Sequence, residues 1–261
     1  MELSLKGKTA LICGATQGIG LATAKELAAL GAECILMARD KEALKEIIPT
    51  LEAEHFQEHS YLVADFKNPK EVEEAIKTAT EKQSIHILIN NTGGPASGPI
   101  VEAEVQEFID AFNQHLVNNH ILAQAVLTGM IGAGYGRIIN VISTSVKAPL
   151  KNLGVSNTIR LSVAAWAKTM ATELAQYGVT VNNILPGSTN TSRLQSLIKT
   201  NAKKRNVERQ VIEQEMLSEI PMKRFGDAKE IAAAIAFLAT PAAGYITGTS
   251  IPVDGGKTPT F

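Results

Sequence analysis

The chain has 261 residues, of which 45% are hydrophobic and 20% charged, with a formal net charge of -1. A chain of this size buries about three quarters of its unfolded surface, so neither a disulfide nor a metal is needed to hold it together. The even charge balance excludes the basic excess that nucleic acid or an anionic membrane demands, no apolar run reaches the ~18 residues of a membrane span, and small, near-neutral partners are favoured.

Short apolar or β-branched runs alternate with segments of helical period, which predicts strands over 9–13, 34–37, 61–64, 85–90, 137–142, 179–184 and 250–253. Strands separated by helices make a parallel sheet covered on both faces, a doubly wound α/β architecture of seven strands. No linker or repeat interrupts 1–261, which reads as a single domain. Cys13 and Cys34 lie inside the apolar runs TALIC and AECILM and read as buried strand residues in a reducing compartment. With no cleavage-site pattern near Met1, a cytoplasmic location is expected. The stretch 192–224, basic in its middle (Lys199, Lys203, Lys204, Arg205), is the one irregular segment. It is either a solvated helical excursion or a mobile substrate lid, because insertions after a strand's carboxyl end overhang the crevice of an α/β sheet.

The first strand runs into Cys13-Gly14-Ala15-Thr16-Gln17-Gly18-Ile19-Gly20, and a helical segment follows over 21–30. Glycines here allow a tight turn, close approach of backbone to a pyrophosphate, and close packing of helix on sheet. The amides of Thr16, Gln17, Gly18 and Ile19 at the helix start are placed to meet a diphosphate. Strand, turn and helix in this order specify a Rossmann-type dinucleotide site. Further along stand Asn90-Asn91-Thr92-Gly93, Pro186-Gly187 followed by Thr191, and Val253-Asp254-Gly255-Gly256.

With its G-x-x-x-G-x-G spacing, this series resembles the short-chain dehydrogenase/reductase family, in its 3-oxoacyl-acyl-carrier-protein-reductase-like form, over essentially the whole chain. The resemblance implies that Asp65 holds the adenine, Asn91 and Gly93 line the ribose, and Pro186, Gly187 and Thr191 serve the nicotinamide end. It also places the residue that selects the nucleotide at Ala38, where NAD users carry an acid; Arg39 follows, and its planar guanidinium suits a 2′-phosphate. NADP(H) is therefore favoured over NAD(H). The competing reading makes Arg39 a surface ion-pair partner and Asp40 the N-cap of the next helix.

The reacting positions depart from the family pattern of serine, tyrosine, lysine and asparagine. Ser143 occupies the serine position, but thirteen residues on, where Tyr-x-x-x-Lys is expected, the chain reads Ser156-Asn157-Thr158-Ile159-Arg160, and His115 falls at the asparagine position. A serine hydroxyl is shorter and far less acidic than a phenol. Arg160 retains a positive charge without giving up a proton, so it reads as a clamp on ribose hydroxyls or on a substrate carboxylate. His115, with an ordinary pKa of about 6.5, is the only new titratable group and reads as the proton source, with Ser143 orienting the carbonyl; the alternative is a packing histidine. No metal-ligand pattern appears.

Two functions stay open on the sequence. One is an NADP(H)-dependent oxidoreductase acting on a small carbonyl or alcohol through an atypical proton relay. The other is a catalytically silent NADP(H)-binding protein, a sensor or scaffold. The family's habit of assembling through two long helices and the last strand implies a homotetramer or dimer. The apolar breadth of 153–177, with Val163, Ala164, Trp166 and Ala167, suits such a buried helix.

Overall fold

A computed structural model describes residues 1–260; Phe261, the last residue of the single domain read from the sequence, lies outside the described residues. The strands are β1 (Thr9–Cys13), β2 (Glu33–Ala38), β3 (Ser60–Val63), β4 (Ile87–Asn90), β5 (Gly136–Val141), β6 (Val179–Pro186) and β7 (Ser250–Val253). They form one sheet in the order β3-β2-β1-β4-β5-β6-β7, with every neighbouring pair parallel. The chain runs outward from β1 to β3, then returns to lay β4 on the other side of β1. Connections leaving β1 and β4 therefore diverge, and a crevice opens at their carboxyl ends.

The central strands feed both faces. Ala10 and Ile12 of β1 join one core with α1 (Gly18–Ala29) and α9 (Ala228–Ala239), whereas Leu11 and Cys13 join another with α3 (Pro69–Thr80), α5 (Asn118–Gly132) and α6 (Gly154–Leu174). Two covered faces explain why these strands read as unbroken apolar runs rather than alternating ones. Cys13 and Cys34 are buried and free on opposite faces, and burial pushes the Cys34 thiol up to about 12. β6 runs two residues beyond its apolar run because β7 pairs with Leu185 and Pro186.

Under α6 the sheet carries a line of polar side chains in register. Asn90 Nδ2 donates to Asn140 Oδ1 at 2.9 Å, Asn140 Nδ2 to Asn183 Oδ1 at 2.9 Å, and Asn183 Nδ2 to Ser250 Oγ at 3.0 Å. All three asparagines are buried, so each supplies the partner the next one needs. The remaining helices are α2 (Lys41–Ile47), α4 (Val105–Phe112), α7 (Ser192–Arg205) and α8 (Arg209–Ser218). The stretch read as irregular thus holds two helices, which close on a small core of their own through Leu194, Ile198, Ala202 and Ile212. Among the described residues no helix is long and apolar enough to cross a membrane.

Candidate active site

The turn after β1 is built around contacts that a side chain would block. Gly14 has φ +60, and a Cβ on it would lie 2.4 Å from Asn91 O; one on Gly20 would lie 2.2 Å from Gly14 O. Asn91 braces this turn from β4, its Nδ2 donating to Cys13 O at 3.2 Å and Gly14 O at 3.3 Å. Gln17 is the N-cap of α1 in an extended conformation and its side chain makes no capping hydrogen bond to the helix, so the first amides of α1 carry no side-chain cap. Such an end attracts an anion through its amides and its dipole.

A cleft of about 340 Å³ opens over the turn. Gly14, Thr16, Gln17, Gly18 and Ile19 form its floor, and Arg39, Asp65, Asn91, Gly93 and Thr191 stand around it. Gly20 lies behind the turn, packed on Gly14. Pro186 and Gly187 stand away from this cleft: the Gly187 amide donates to Val253 O at 3.0 Å, and Gly187 faces a second cavity of about 470 Å³ together with Asp254. Ala38 closes the end of β2, and Asp40 caps α2 by accepting from the Ala43 amide at 3.0 Å. Between them Arg39 is exposed and makes no ion pair among the described residues. The arrangement therefore offers uncapped amides suited to a diphosphate and, at the end of β2, a guanidinium with no ion pair among the described residues, a donor set that suits a nucleotide carrying a 2′-phosphate.

The residues at the family's reacting positions come from three elements. Ser143 ends β5's extension, and its Oγ accepts from the Ser145 amide at 3.1 Å, which leaves its O–H available to a ligand. Ser156 and Arg160 follow each other on α6, four residues and about one turn apart. Arg160 is only 8% exposed; its Nη1 donates to Val141 O at 2.8 Å while its Nε is buried without a partner. Burial and the neighbouring Arg193 charge hold Arg160 down to about 10, which still leaves it a cation at neutral pH.

His115 lies in a π-helical turn, Asn113–Val117, between α4 and α5. Such wide turns mark sites where a side chain is re-aimed. Its Nδ1 meets Thr92 Oγ1 at 2.7 Å, and its Nε2 is buried without a partner. The ordinary histidine pKa expected from the sequence does not hold here: burial first, then the Arg160 and Arg193 charges, lower it to about 2. The ring is neutral. Asn118 donates to Phe66 O at 2.7 Å and so has a structural partner.

Two residues of this site escaped the sequence reading. Thr92 stands where the family pattern has alanine, and it is this hydroxyl that grips His115; the two departures touch. Arg193, in the first turn of α7, donates from Nη1 to Gly94 O and from Nη2 to Pro95 O, each at 3.1 Å, while Ser192 Oγ donates to Gln17 Oε1 at 2.8 Å. A second cation after Thr191 was the available signal.

Sheet order, glycine turn and uncapped helix define a dinucleotide-binding α/β protein. The chain belongs to the short-chain dehydrogenase/reductase family, and with it to the NAD(P)-dependent reductases and dehydrogenases: the family model described as enoyl-(acyl carrier protein) reductase matches residues 14–258. It is similar to the 3-oxoacyl-[acyl-carrier-protein] reductase FabG of Vibrio cholerae, with 35% identity over 257 residues, 97% of this chain and 98% of that protein. The NADPH-dependent reductase BacG of Bacillus subtilis is 30% identical over 96% of this chain and 97% of its own. Among solved structures, the L-sorbose reductase of Gluconobacter frateurii complexed with NADPH and L-sorbose has a TM-score of 0.93 at 28% identity, over 100% of both chains.

Proposed function

We propose that this protein is an NADP(H)-dependent oxidoreductase that interconverts a small carbonyl compound and its alcohol, using His115 and Thr92 in place of a tyrosine. The observation that carries the reading is the hydrogen bond between two departures from the family pattern, Thr92 and His115, beside an intact nucleotide turn. When bound, the nicotinamide nucleotide supplies or accepts the hydride. Arg39 would hold its 2′-phosphate and the amides at the start of α1 its diphosphate, while Arg160 would clamp ribose hydroxyls or a substrate carboxylate. Pro186, Gly187 and Thr191 keep the nicotinamide-end role that the family pattern gives them.

The chain's own task is to position the carbonyl and move one proton. Ser143, its oxygen already accepting from the Ser145 amide, donates its O–H to the carbonyl oxygen. A neutral imidazole can act as donor where an imidazolium is not populated. In the tautomer with hydrogen on Nε2, the proton leaves from Nε2 to the developing alkoxide as Nδ1 takes one from the Thr92 hydroxyl. Thr92 lines the cleft and is reprotonated through water there, which passes in from bulk solvent the one proton that the reduction consumes. Ser156 leaves the space of a phenol to that water or to substrate. The 192–224 segment acts as the lid, and assembly into a homotetramer or dimer uses α5, α6 and β7.

The test is direct. Fluorescence titration should show NADPH binding, and NADPH oxidation should be seen with members of a ketone and aldehyde panel. His115→Gln should lower turnover about 10²-fold or more while NADPH affinity stays within threefold. Unchanged turnover would sink the relay; binding without turnover across the panel would favour the silent nucleotide-binding protein.

A further inference from the structure

The near-neutral total conceals an uneven distribution of charge. Between Ala111 and Val207 the sequence holds one acid, Glu173, against ten lysines and arginines. The reacting half of the site is drawn from this stretch, and the fold converges two of its cations. A Cβ built on Gly94 would lie 3.4 Å from Arg160 Nη2 and 3.1 Å from Arg193 Nη2. One guanidinium comes from α6 and the other from α7, so nothing local brings them together.

Neither arginine makes an ion pair among the described residues. Their partners are backbone carbonyls, which occupy donors but cancel no charge. Two cations this close in a half-dry site repel unless a negative group joins them. Arg137 shows how the protein buries an arginine for structure alone. It is 4% exposed, its guanidinium stacks 4.1 Å over Tyr135, and its donors reach Gly136 O, Gly178 O and Thr240 O. Among the described residues Arg160 has no aromatic ring stacked on it and keeps a buried Nε without a partner.

We propose that Arg160 and Arg193 form an anion clamp and that the substrate is a carboxylic acid, an oxo acid in the reducing direction and a hydroxy acid in the oxidising one. This rests on the oxidoreductase reading above. The cofactor's diphosphate is the other candidate anion, but the glycine turn and the start of α1 already serve it. Arg193 borders the cleft over that turn, but neither Arg160 nor Gly94 lines it, so the ground the two arginines share lies beyond the cleft's edge, at Gly94. A planar carboxylate can accept from both guanidiniums at once.

Isothermal titration with pyruvate, acetoacetate and levulinate, each against its methyl ester, tests this with and without NADPH. At least one acid should bind about tenfold tighter than its ester, as expected for charge-assisted hydrogen bonds. Arg193→Gln should reduce that preference below threefold and move NADPH affinity less than threefold. Arg193 is exposed, so this variant spares the core; Arg160→Lys, which keeps the charge, should retain part of the preference. Equal binding of acid and ester, no binding by any acid, or an equal loss of NADPH and acid in Arg193→Gln would each overturn the clamp. Failure to bind NADPH would sink the oxidoreductase reading instead, while the nucleotide-free titrations still decide the clamp.

Discussion

Arg39 shows how much a single side chain can decide when its neighbours are inert. Ala38 offers no charge to repel a phosphate, Asp40 is occupied at the start of α2, and Arg39 stands unpaired at the cleft. Arg39→Gln should weaken NADPH about tenfold or more, the worth of a charge-assisted pair, and leave NADH within threefold; equal effects in paired fluorescence titrations would contradict this. His115 makes a prediction of a different kind. The folded state holds its pKa to about 2, whereas the unfolded chain takes up a proton near 6.5. Its contribution to stability is therefore complete above pH 6.5 and is lost as the pH falls below it, by up to about 1.4 kcal/mol per pH unit. Urea unfolding at pH 7 and pH 5 should show a smaller loss for His115→Gln than for the unaltered protein. An identical loss in both would mean that the ring is not held neutral.

Among the elements, the amide line across β4, β5, β6 and β7 carries a consequence for stability. Asn140 is both donor to Asn183 and acceptor from Asn90. Asn140→Ala strands a buried donor on one side and an acceptor on the other, and should cost about 2–4 kcal/mol by urea unfolding. A loss below about 0.5 kcal/mol would show that water replaces the amide. The sequence names these residues but gives no hint of the line, because register between strands far apart in the chain aligns them. The π-turn at Asn113–Val117 is hidden for a similar reason: its residues have ordinary helical character, and packing against α6 and the Thr92 hydroxyl sets the wider turn.

For the whole molecule, charge and exposure point in separate directions. Of the cations in the acid-poor stretch, Arg160 and Arg193 meet at Gly94, so attraction of anions is concentrated there on a near-neutral protein. Elsewhere the surface shows apolar side chains, with Leu161 on α6 and Ile109 and Phe112 on α4 exposed. Such residues suit burial between copies of the chain. Light scattering at micromolar concentration should give a mass of two or four chains, and a monomer would contradict the assembly drawn from the family pattern.

The sequence by itself determined the alternation of strands and helices, the glycine turn, the family, and the places where the family's tyrosine and lysine are missing. These are legible because they depend on local period, on backbone freedom at Gly14, and on spacing along one chain. Only the tertiary structure decided that Thr92 meets His115, that burial beside two guanidiniums keeps that ring neutral, and that Arg160 and Arg193 share one space by Gly94. Each of these joins residues from separate elements, and a side chain's charge state and partners depend on what the fold brings against it and on how much water it leaves there.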